Sequence, residues 1–214
     1  MRAVLFIAGL ALGFGSAWLL KPEPAVPPSE AAAAPLPYTP VQARAAFLAR
    51  QARMFGDADT LIIGDSLVEQ ADWTDACGRT FAAGIGGARV AAPLFVLPDL
   101  LRFTTPETVV IALGTNYFIP TEDLARFRQD MPGLIDAVGG VKLVLVGVPG
   151  VEKANRLIAR WADQRGATFV EPPAGPMRQV SQGVPDGYHY THEASLAYRA
   201  AISEGCARAN AKSD

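Results

Sequence analysis

Leu61-Ile62-Ile63-Gly64-Asp65-Ser66-Leu67 is the stretch whose reading decides the fold. Three apolar, β-prone residues run into Gly-Asp-Ser, the composition of a buried strand ending at a turn. A serine at the carboxyl end of a strand stands where open α/β sheets place their chemistry. The chain holds only two histidines, His189 and His192, both far downstream. A serine nucleophile that needs an imidazole base therefore has two candidate partners.

Outward from this run, strand-like and helix-like segments alternate. Val41 to Phe55 reads as an amphipathic helix and Thr60 to Ile63 as the first strand. Thr80 to Ala83 is a short strand entering Gly84-Ile85-Gly86-Gly87. A helix over Val90 to Phe103 follows, with Pro93 and Pro98 expected to limit or bend it. Thr108 to Leu113 and Val141 to Val148 are near-continuous aliphatic strands. Thr121 is positioned to cap a helix running to about Val138. Glu152 to Arg165 is the next helix and Ala167 to Val170 a last short strand; Thr191 caps a final helix ending near Ala209. This pattern predicts an α/β fold of three α/β/α layers, flavodoxin-like, with a mainly parallel sheet flanked by helices. In that architecture the loops after the strands share one edge, so the Ser66, Gly87 and Asn116 segments meet there.

Three regions of different composition divide the 214 residues. Ala3 to Leu20 carries no charge and lies between Arg2 and Lys21, long enough for a membrane-spanning helix of about 18 residues. It reads as a hydrophobic signal-anchor, because the apolar run continues through Trp18-Leu19-Leu20 past the small residues Gly15-Ser16-Ala17. A signal peptide cleaved at those small residues is the alternative. Both readings place the remainder outside the cytoplasm, periplasmic or secreted, and the anchor reading tethers it to the inner membrane. Residues 22–40 hold seven of the 17 prolines and read as a Pro/Ala-rich linker. Residues 41–214 form the expected globular domain. Apolar residues make up 50% of the chain and charged residues 19%, enough apolar surface for a substantial core. A net charge of −2 with scattered basic residues gives no support for a nucleic-acid partner. Cys77 and Cys206 pair in an oxidising compartment or stay two buried thiols. Two cysteines and two histidines without close spacing speak against a structural zinc site.

Each chemical segment is weak alone. Gly-Asp-Ser-Leu can be an ordinary strand-to-helix turn whose polar side chains satisfy backbone donors. The glycines before Ala88 can make a tight turn or offer backbone N–H groups to a ligand. They do not fit the dinucleotide-binding spacing. Asn116 after the Thr108 strand is a turn residue or an amide donor to developing negative charge. Asp186 precedes His189 across Gly187-Tyr188, where a turn would set a carboxylate beside an imidazole. His189 is the preferred base; His192 falls in the first turn of the last helix, where the helix dipole opposes a cation.

Taken together, the four segments resemble the SGNH hydrolases, also called the GDSL esterase/lipase family. Gly64-Asp65-Ser66-Leu67, Gly84-Ile85-Gly86-Gly87, Gly114-Thr115-Asn116 and Asp186-Gly187-Tyr188-His189-Tyr190-Thr191 appear in the family's order. The resemblance spans about Thr60 to Ala209 and implies a serine esterase. It assigns Ser66 as nucleophile, His189 as base and Asp186 as its partner. Gly87 and Asn116 would be oxyanion donors, and no cofactor or metal is implied. Asp65 is expected to fix its loop. Tyr117 and Arg89 depart from the family pattern. Tyr117, after Asn116, is expected to alter local hydrogen bonding or the substrate pocket. Arg89 would meet an anionic substrate, cover the site, or sit solvated at a helix start. The implied substrate is a small-molecule or glycan ester, including O-acetyl groups on envelope glycans. O-acyl transfer to a polysaccharide, or a non-catalytic carbohydrate-binding module, would use the same fold.

Overall fold

The structure, a computed structural model, describes residues 39–175, 177–179 and 185–212; the side chains of 177–179 and 185–188 lie outside that description. The apolar segment 3–20 and most of the linker also lie outside it. Among the described residues no helix is long and apolar enough to cross a membrane.

Five parallel strands form the central sheet: β1 (Thr60–Gly64), β2 (Thr80–Gly84), β3 (Thr108–Ala112), β4 (Lys142–Val146) and β5 (Thr168–Val170). Their spatial order is β2-β1-β3-β4-β5. The five correspond to the five apolar runs of the sequence, within one or two residues at each end.

Side chains on a strand alternate between faces, and the core divides accordingly. Leu61, Ile63, Val109, Ile111, Leu143 and Leu145 belong to one apolar cluster. That cluster takes in α1 (Pro40–Phe55), α3 (Ala91–Thr104), α4 (Leu124–Ala137) and α5 (Glu152–Arg165). Ile62, Val110, Val144 and Val146 belong to a second cluster with α2 (Ser66–Glu69) and α6 (His192–Ala211). The three layers are thus α1/α3/α4/α5, sheet, α2/α6.

Local signals explain the helix starts. Thr39 and Gln42 form a capping box with Pro40 in the first turn of α1. Thr191 caps α6 by accepting from the Ala194 N–H at 3.3 Å. The expected cap of α4 is corrected from Thr121 to Asp123, whose carboxylate accepts from the Arg126 N–H at 3.1 Å. Aspartate caps at least as well as threonine, and the Asp123 N–H is itself held by the Tyr117 carbonyl at 2.7 Å. Helix α3 accommodates Pro98 without ending.

A second sheet was absent from the expected pattern. β6 (Met177–Gln179) and β7 (Pro185–Tyr190) pair antiparallel. Pro172, Pro173, Gly175 and the turn-like Pro185-Asp186-Gly187 mask these strands in the sequence. Asp186 and His189 accordingly share a strand instead of flanking a turn. A disulfide joins Cys77, in the loop before β2, to Cys206 in α6, with Cα atoms 5.9 Å apart.

Candidate active site

The strand order reverses direction at β1: β2 lies on one side of it and β3 on the other. Ligands of open α/β sheets bind outside the carboxyl ends of the strands at such a switch point. Ser66 follows β1, Gly86 and Gly87 follow β2, and Asn116 follows β3, so all three loops open onto that crevice.

Asp65 fastens the crevice. Its Oδ1 accepts from the Leu67 N–H at 3.1 Å, capping α2. Its Oδ2 accepts from the Gly114 and Thr115 N–H groups at 3.3 and 3.1 Å. One buried carboxylate therefore ties the end of β1 to the loop after β3, the loop-fixing role expected of it. Burial pushes its carboxyl above the ordinary value of 3.8, against the lowering effect of those N–H donors. Gly64 is required by close approach: a Cβ there would stand 2.2 Å from Val68 Cγ2 and 2.6 Å from the Ala112 carbonyl.

Ser66 is the first residue of α2. The first N–H groups of a helix lack intrahelical acceptors, which leaves the Ser66 N–H available to a ligand. Its Oγ is 2.9 Å from His189 Nε2, across 123 residues of sequence. The hydroxyl can donate to that nitrogen when the ring carries its proton on Nδ1. The structure thus brings together Ser66 and His189. His192, the other histidine, lines an adjoining cavity that also includes Ser66. Asp186 lies on β7 three residues before His189, and its side chain is outside the described residues.

Ser66, His189, Gly87 and Asn116 all line one cavity of about 350 Å3, with Ile119. Gly87 has φ +72°, a conformation open to glycine and strained for other residues. Asn116 Nδ2 donates to the Ala88 carbonyl at 3.0 Å. A side-chain amide carries two N–H donors, so this bond orients the group and leaves the second N–H for a ligand.

Arg89 is half-exposed and tied to the loop after β3. Its Nε donates to the Asn116 carbonyl at 2.8 Å, and its guanidinium lies 4.9 Å from the Tyr117 ring centroid. Asp123 is 3.7 Å away. Tyr117 is fully buried, and its hydroxyl accepts from the Val90 N–H at 3.2 Å and donates to Asp130 at 2.8 Å. Tyr117 thus takes part in the local hydrogen bonding of this loop. Burial pushes its phenol up to about 12, which keeps the proton donated to Asp130 in place. The segments 88–90 and 116–117 are therefore laced together by three hydrogen bonds.

Glu69 and Arg44 had no expected role at the site. Glu69 Oε2 accepts from the Gly86 N–H at 2.8 Å, and Oε1 pairs with Arg44 Nε at 2.9 Å. Arg44 Nε also approaches the Gly84 carbonyl at 3.2 Å. Helix α1 thereby helps hold the glycine loop. Only the position of Glu69 one turn after Ser66 hinted at this. Among the described residues no group of three His, Cys, Asp or Glu side chains is placed to hold a metal ion.

No protein-family model matches the chain, and no curated protein matches it in sequence. Solved structures do resemble it. A candidate acylhydrolase from Bacteroides fragilis superposes with a TM-score of 0.59 at 16% identity, over 75% of this chain and 94% of that one. A GDSL-like lipase from Bacteroides thetaiotaomicron gives 0.55 at 17% identity, over 70% and 88%. The lipase/acylhydrolase from Enterococcus faecalis gives 0.55 at 18% identity, over 71% and 96%. The chain has the SGNH-hydrolase fold that its four sequence blocks imply.

Proposed function

We propose that the protein is a serine esterase that hydrolyses carboxylic esters at Ser66. The observation that carries this is the 2.9 Å contact between Ser66 Oγ and His189 Nε2 at the sheet's switch point. His189 takes the Ser66 proton as Oγ attacks the ester carbonyl carbon. The carbonyl oxygen becomes an oxyanion, held by the Ser66 and Gly87 N–H groups and the second N–H of Asn116. The carbon–oxygen bond to the alcohol then breaks, and His189 returns the proton to the leaving alkoxide. Water, deprotonated by His189, attacks the acyl-serine; release of the acid restores the Ser66 hydroxyl. Asp186 is assigned the role of orienting and stabilising the charged imidazole. Each step uses groups of this chain and water.

The disulfide between Cys77 and Cys206 supports an extracytoplasmic location, since such bonds persist in oxidising compartments. Residues 3–20 would tether the domain there, with a small-molecule or glycan ester as substrate. Hydrolysis of p-nitrophenyl acetate by the full chain tests the esterase reading. Turnover should vanish in Ser66→Ala and His189→Ala. Equal turnover in Ser66→Ala would overturn it.

A further inference from the structure

The N–H groups of Ile85, Gly86, Gly87 and Ala88 follow β2 into the crevice beside Ser66. Three of them are committed. The Ile85 N–H donates to the Gly64 carbonyl at 3.0 Å, and the Ala88 N–H to the Ile85 carbonyl at 3.1 Å. The Gly86 N–H donates to Glu69 Oε2 at 2.8 Å. The Gly87 N–H has no acceptor among the described residues. Two consecutive glycines would otherwise give this turn wide backbone freedom. The Glu69 bond removes it on one side of the Gly87 N–H, and the Ala88 bond removes it on the other.

Glu69 is itself held in place. It stands three residues after Ser66 in α2, on the same helical turn. A Cβ on Gly84 would lie 2.2 Å from the Glu69 nitrogen, so the end of β2 packs directly against the Glu69 backbone. A Cβ on Gly86 would lie 2.6 Å from Oε2, so glycine leaves the carboxylate room to dock. Oε1 pairs with Arg44 Nε at 2.9 Å, which leaves Oε2 for Gly86. Glu69 lines the same cavity as Ser66, His189, Gly87 and Asn116. A bare carboxylate there would oppose the oxyanion, and the Arg44 guanidinium offsets its charge.

We infer that Glu69 is a positioning residue for ester hydrolysis. By occupying the Gly86 N–H and tying the Gly86-Gly87 turn to α2, it aims the Gly87 N–H at the oxyanion. Ser66 and Glu69 share one helical turn, so nucleophile and oxyanion donor are set by a single rigid piece. The inference rests on the esterase reading of Ser66.

The full chain carrying Glu69→Ala, assayed on p-nitrophenyl acetate, should lose about ten- to hundredfold in kcat with KM nearly unchanged. Glu69→Gln keeps an acceptor for the Gly86 N–H and should recover most of that loss. Phenylboronic acid gives a second readout, because its tetrahedral serine adduct places an oxygen where the oxyanion forms. Its inhibition constant should rise about tenfold in Glu69→Ala and return toward the wild-type value in Glu69→Gln. If Glu69→Ala does not fold in urea-unfolding controls, Glu69→Leu keeps the bulk, removes the acceptor and reads the same step. Wild-type kcat without the acceptor, a loss confined to KM, or equal losses in the Ala and Gln variants overturns the inference. Ser66→Ala reads the parent assignment separately. Turnover that persists there sinks the esterase reading, whereas Ser66-dependent turnover indifferent to Glu69→Ala sinks only the role of Glu69.

Discussion

Arg89 Nε donates to the Asn116 carbonyl at 2.8 Å, while the Asn116 amide donates back to the Ala88 carbonyl at 3.0 Å. The two loops that would supply the oxyanion donors thus hold each other. Arg89 acts on Asn116 through its backbone and is a positioning residue. Arg89→Ala should lower kcat about ten- to hundredfold with KM nearly unchanged, the signature of a donor displaced from the transition state. A loss confined to KM would instead place Arg89 in substrate binding.

Asn116 itself should matter more. Loss of one oxyanion donor removes about 3–4 kcal/mol of transition-state stabilisation. Asn116→Ala should therefore reduce kcat on p-nitrophenyl acetate by about 10²–10³. Far-ultraviolet circular dichroism and the urea midpoint of that variant report whether the fold is retained. Near-normal turnover would remove Asn116 from the oxyanion site.

Asp65 gives a pH dependence with a definite sign. Its carboxyl titrates above 3.8 in the folded chain, chiefly because of burial. From 3.8 upward the folded state therefore binds more protons at this site than the unfolded state does. Its contribution to stability is fully present below 3.8 and is lost as pH rises through the folded-state value. Urea unfolding of the wild type and Asp65→Asn across pH 4 to neutral measures this. The wild type should lose stability relative to the variant as pH rises, and a flat difference would contradict it.

Removing the disulfide tests how α6 is secured. Cys77 and Cys206 lie 129 positions apart in the sequence. Replacing both by alanine should cost about 2–5 kcal/mol in urea unfolding. A cost of less than a tenth of that would show that the apolar packing of Tyr198, Ile202 and Ala209 alone holds the helix.

Much of the fold was legible because parallel strands buried on both faces are written as unbroken aliphatic runs. Leu61 to Ile63, Val109 to Ile111 and Leu143 to Val146 could be located without any partner. The pairing of β6 with β7 was not, since Pro185 and Gly187 within β7 carry turn signals that pairing overrides. Ser66 and His189 were legible from motif and scarcity. Arg89, Glu69 and Arg44 were not, because their partners are a carbonyl, an N–H and a carboxylate brought near only by the fold. A guanidinium at a helix start reads the same whether it faces water or the Asn116 carbonyl. Thr121 and Asp123 are both good caps by type, and the fold chooses Asp123, whose carboxylate accepts from the Arg126 N–H while its own N–H is held by the Tyr117 carbonyl.

Covalent labelling by a fluorophosphonate, read by intact mass and peptide mapping of the full chain, tests the assignment of the nucleophile most directly. One adduct should form, on Ser66, and should be lost in Ser66→Ala and strongly slowed in His189→Ala. The absence of an adduct, an adduct on another residue, or an unchanged rate in His189→Ala would contradict the assignment of Ser66 and His189 as nucleophile and base.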